Sequence, residues 1–140
     1  MGKLKDIAAL IGRLGVGIVF VAHGWQKWTE YGLAGTAASF EKMGVPLPSV
    51  SAAFAATVEL AGGLALIAGV ALPIVGVLLA ANMLGAFVLV HASGPLIGQG
   101  GSELVVVLAA AALALGFNGG AYSLDRVLFK NNKVLNPAAA

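Results

Sequence analysis

The chain has no cysteine, which excludes disulfides, thiolate nucleophiles and thiolate metal sites. Any thiol or redox chemistry would need its reactive atom from a cofactor or a partner. Charge is almost as scarce. Only 10% of the 140 residues are Asp, Glu, Lys or Arg, and 59% are hydrophobic. Soluble proteins sit nearer roughly 25% and 45–50%. A soluble helical bundle must cover its outer faces with charge, and this composition cannot do so. The net charge of +2 is small and points to no nucleic-acid partner.

Between Lys42 and Glu103 the only formally charged residue is Glu59. It stands in the stretch Thr57–Val70, inside an apolar run long enough to cross a bilayer. A carboxylate at membrane depth costs on the order of 2–3 kcal/mol unless it is neutral or paired. A partner for Glu59 is therefore expected elsewhere in the chain.

What is present reads as all-α: an integral membrane bundle of four transmembrane helices, up-down-up-down, in one domain over residues 1–126. The spans are expected at about 7–28, 51–70, 73–92 and 102–117, with 127–140 a short basic tail. The first span is not a signal peptide, because Arg13 interrupts it and no small-x-small cleavage site precedes its end. Trp25, Trp28 and Tyr31 follow where an aromatic belt belongs. In the 29–50 connection, Thr36–Met43 predicts a short interfacial helix with Thr36 as its cap, broken by Pro46 and Pro48. Ser49 or Ser51 is expected to cap the second span, and Ser102 the fourth. Pro73 opens the third. The glycines at 12, 15, 17, 62, 63, 76 and 85 read as sites of close helix approach.

Basic residues set the orientation. Lys3, Lys5, Arg13, Arg126, Lys130 and Lys133 lie toward the two ends, which predicts that both termini face the cytoplasm. His23 and Lys27 near the end of the first span then share the outer half with Glu59, with His91 ending the third span and Glu103 opening the fourth. His23 and Lys27 are four apart and so share a helix face. Arg13 lies deeper on nearly that face, with a side chain long enough to be aimed toward Glu59. Each residue has a plainer role beside the functional one. Glu59 with Arg13 or His23 could be a structural pair, and Glu103 a first-turn carboxylate on the helix dipole. Lys27 could snorkel, and Asn82 could be interhelical hydrogen-bond glue. His23, Glu59, His91 and Glu103 have no metal-motif spacing, and no metal site is assigned. The 98–101 loop lacks the lysine and strand context of a nucleotide site.

Arg13-Leu14-Gly15, Phe20, His23-Gly24 and Lys27 resemble the first helix of the DoxX family. Phe40 with Met43-Gly44-Val45-Pro46 resembles its connection, and Val58-Glu59-Leu60-Ala61-Gly62-Gly63 its second helix. His91, Gly101-Ser102-Glu103-Leu104 and Ser123-Leu124-Asp125 resemble the later motifs, so the likeness covers about residues 7–126. The resemblance implies a small four-helix protein of the bacterial inner membrane, associated with quinone-linked and thiol- or superoxide-defence redox systems. It also implies Arg13, His23, Lys27, Glu59, His91 and Glu103 as the candidate functional set.

Three functions follow as expectations. The first is a redox-linked subunit binding a quinone or similar small molecule through the outer-half cluster. Such a subunit, with no redox centre of its own, would be non-catalytic or dependent on a partner within an oxidoreductase complex. The second is a scaffold recruiting soluble redox enzymes to a docking surface made of Asp125-Arg126 and the basic tail. Deleting Leu124–Ala140 would then abolish recruitment and leave the bundle folded. The third is a solute or proton pathway, for which four short helices have little room unless chains assemble as a homo-oligomer.

Overall fold

A computed structural model describes residues 2–136; the last four residues of the expected tail lie outside them. The helices are α1 (Gly2–Thr29), α2 (Gly32–Lys42), α3 (Pro48–Ala68), α4 (Leu72–Ala86), α5 (Glu103–Phe117) and α6 (Asp125–Leu128). The winding of α4 continues as a π-helical segment, Phe87–His91. No strand occurs among the described residues.

Three helical stretches, Gly2–Thr29, Pro48–Ala68 and Leu72–His91, are long and apolar enough to cross a membrane. The fourth expected span is shorter. At 15 residues α5 extends about 22 Å, against a hydrocarbon core of roughly 30 Å. Boundaries elsewhere shift for local reasons. Nothing between Gly2 and Ile7 breaks a helix, so α1 starts earlier than the apolar run does. Pro48 takes the first position of α3, where its missing N–H costs nothing, and the cap is Leu47 at φ 47° rather than a serine. Ser51 instead donates to the Pro46 carbonyl at 2.6 Å. Thr36 is no cap either; it is buried inside α2 and donates to the Gly32 carbonyl at 2.9 Å. Ser102 does precede α5, but its hydroxyl makes no capping bond.

Packing proceeds by pairs. α1 lies on α3 and α4 on α5, and α3 against α4 joins the pairs. Small residues let the backbones meet. A Cβ on Gly63 would sit 2.9 Å from the Gly17 carbonyl oxygen, and one on Gly76 would sit 2.8 Å from Gly116 Cα. The expected role of Gly15 and Gly85 is overturned, since a Cβ on either would meet nothing within 4 Å. The core gathers Phe20, Leu66, Leu72, Leu79, Met83 and Leu108. Exposed Leu, Ile, Val and Phe side chains cover much of the remaining helix surface, as a lipid-facing exterior requires.

Candidate functional site

Above that core, toward the end of the bundle that carries α2, lies a cavity of about 700 Å³. Phe20, Phe40, Phe54, Met43 and Met83 supply much of its apolar wall. Its polar groups are His23 and Lys27 from α1, Ser51 and Glu59 from α3, Asn82 from α4 and His91 from the π-helical segment. Single-turn π segments recur at functional sites because they re-aim side chains, and this one brings Leu89, Val90 and His91 to the cavity.

Glu59 is 3% exposed, and both of its oxygens are held. The Lys27 ammonium meets Oε2 at 2.6 Å, and Asn82 Nδ2 donates to Oε1 at 3.1 Å. Glu59 is therefore answered by Lys27, not by Arg13 or His23. Lys27 is less a snorkelling residue than half of an ion pair. Asn82 does join two helices, and it does so through Glu59.

The two histidines are each tied through Nδ1. His23 Nδ1 lies 2.8 Å from the Val19 carbonyl and His91 Nδ1 lies 3.2 Å from the Gly100 carbonyl. Glu103 does not line the cavity. It is exposed, and its Oε1 accepts from Gly98 N–H at 3.3 Å, so it fastens the glycine-rich loop. Among the described residues, no three of His, Asp and Glu gather as a metal site.

Arg13 belongs to a different place altogether. It lies about 21 Å along α1 from Lys27, at 1.5 Å per residue. It is 0% exposed, and its Nη2 donates to the Tyr122 carbonyl. Asp125 is the carboxylate charge nearby, although the two form no ion pair at contact distance. Asp125, 2% exposed, accepts from Ala71 N–H at 2.6 Å and Leu72 N–H at 2.8 Å, which caps the start of α4. Asp6 completes this knot by accepting from Ala121 N–H at 2.7 Å. The expected reach of Arg13 toward Glu59 fails because Glu59 stands at the level of Lys27, further along α1 than an arginine side chain extends. Asp125 is equally unavailable as a docking surface, though Lys130 and Lys133 are exposed. A sequence signal for this knot existed. A buried arginine near the first end needs an anion, and Asp125 lies in the closing motif.

Apolar helices of spanning length, an apolar exterior and a buried ion pair beside a cavity define a multi-pass helical membrane protein. The family model of DoxX matches residues 8–92, and the chain belongs to the DoxX family. It is 36% identical over 140 residues to "Putative oxidoreductase CatD" of Bacillus subtilis (strain 168), covering 99% of this chain and 100% of that one. It is 34% identical over 138 residues to "Inner membrane protein YqjF" of Escherichia coli (strain K12), covering 93% of this chain and 98% of that one. No solved structure matches the chain.

Proposed function

We propose that this protein is a redox-linked subunit of the bacterial inner membrane that binds a quinone or similar small aromatic molecule in the α2-end cavity. The observation that carries this reading is the Lys27–Glu59–Asn82 group set into an apolar, phenylalanine- and methionine-rich cavity of about 700 Å³. That volume suits a single-ring or small fused-ring ligand. The donor set suits a carbonyl. Lys27 spends one of its three N–H donors on Glu59 and Asn82 one of its two, so both retain donors for a ligand oxygen. The names of the two relatives, one an oxidoreductase and one an inner membrane protein, agree with this assignment.

The chain offers no thiol for electron transfer, so electrons would come from a partner protein or a further bound group. In this reading α5 completes a fourth span with help from its flanking loops. The α2 end faces outward and both termini face the cytoplasm, in line with the basic residues at the two ends.

The test is quinone extracted from mildly solubilised protein and quantified by mass spectrometry, wild type beside Glu59→Gln. Near-stoichiometric quinone in the wild type, and its loss from a still-folded Glu59→Gln, is the expected result. No quinone in either protein would leave Glu59 as a structural charge and remove the basis of the proposal.

A further inference from the structure

His23 and His91 line the same cavity, and each ring has one nitrogen already committed. A backbone carbonyl can only accept, so Nδ1 must carry the proton in both rings. In a neutral imidazole that choice leaves Nε2 as a bare acceptor. The tautomer of both rings is thus set by the fold, through Val19 and Gly100. Each Glu59 oxygen meanwhile already accepts one bond, one from Lys27 and the other from Asn82, and keeps a further lone pair. The cavity lining therefore offers spare donors on Lys27 and Asn82, and its spare acceptors include Nε2 of the two imidazoles.

A quinone uses only the donors of that set. Its two oxygens are acceptors only, so a carbonyl meeting Lys27 is satisfied and one meeting a histidine Nε2 faces a lone pair. A hydroxyl both donates and accepts. A hydroquinone can accept from Lys27 or Asn82 at one oxygen and donate to Nε2 at the other, with the ring against the same apolar wall. Pairing acceptor with acceptor forfeits a hydrogen bond and leaves both groups desolvated.

Building on the small-aromatic reading above, we propose that the cavity selects the reduced, hydroxyl-bearing form of its ligand. His23 and His91 are the acceptors that distinguish it from the oxidised form. Both are binding residues in this proposal, and no electron transfer is assigned to them.

The test is anaerobic calorimetric titration of the full-length protein in nanodiscs with tetramethyl-1,4-benzoquinone and, separately, with its hydroquinone. The hydroquinone is expected to bind about tenfold more tightly, the scale of one well-made hydrogen bond. In His23→Phe and His91→Phe, checked for helicity and monodispersity, that ratio is expected to fall toward one. The wild-type ratio alone remains decisive where a variant does not fold. Equal or tighter binding of the quinone by the wild type overturns the preference while leaving the cavity reading in place. A tenfold preference that survives in both folded variants overturns the assignment to the histidines. Failure of both probes to bind overturns this inference and the proposed function together.

Discussion

Gly24 of α1 lies against the backbone of Leu60 in α3 so closely that a Cβ there would be 2.5 Å from Leu60 N. That contact brings Lys27, one turn further along α1, to within 2.6 Å of Glu59, the residue before Leu60. Helix proximity and ion-pair formation are thus one feature. Gly24→Ala should force the helices apart, destabilise the protein by about 1–3 kcal/mol and weaken the pair. Thermal unfolding in detergent checks the first effect. A Gly24→Ala protein as stable as wild type would show that α1 and α3 have slack the packing does not suggest.

Gly85 provides the contrast. A Cβ there meets open space, and the residue lines the cavity. Gly85→Ala should be neutral or stabilising, by up to about 1 kcal/mol from helix propensity. Gly85→Leu should keep the fold and fill the cavity. Loss of bound aromatic ligand from a Gly85→Leu protein of wild-type stability is the expected outcome, read by extraction and mass spectrometry.

Removing one member of the Lys27–Glu59 pair strands the other beside an apolar cavity. Lys27→Met alone should cost about 3 kcal/mol, and Glu59→Leu alone a similar amount. The double variant should be more stable than either single one, because no uncompensated charge remains. A double-mutant cycle in chemical denaturant measures this, and additivity of the two single effects would deny the coupling.

At the other end of the bundle, Asp125→Ala should strip two N–H bonds from the start of α4 and the countercharge from buried Arg13, costing about 3 kcal/mol. Deleting Leu124–Ala140 should therefore prevent stable folding rather than leave an intact bundle. Ala71 sits at φ 49° within this knot, and Ala71→Gly should relieve about 1 kcal/mol. Expression and elution profiles separate these outcomes directly.

Helix type and the need to pair Glu59 were legible in the sequence because they depend on local hydropathy and on the cost of one charge, whereas of the four expected spans three are long and apolar enough to cross a membrane. Helical rise and chain reversal grouped His23, Lys27, Glu59, His91 and Glu103 at one end, and all but Glu103 line one cavity. The partner of Glu59 was not legible. Arg13 and Lys27 lie on nearly the same face of α1, and which of them stands level with Glu59 is set by the register of α1 on α3 at the Gly24–Leu60 contact. The roles of Gly15 and Gly85 were also hidden, because a glycine beside a cavity and one at a crossing look alike in sequence. Nor could hydropathy foresee that Glu103 would turn to its own loop, a matter of where Gly98 N–H points.

An aromatic ligand in the cavity beside Lys27 and Glu59 would be within reach of a photoreactive analogue. The most direct measurement is photolabelling in native membranes with an azido-substituted quinone, followed by mapping of the labelled peptides. Labels are expected around Phe40–Met43, Phe54 and Leu89–His91, lost in Gly85→Leu and competed by unlabelled ligand. Labels confined to lipid-facing positions such as Leu14, Ile18 and Val107, unchanged in Gly85→Leu, would contradict it.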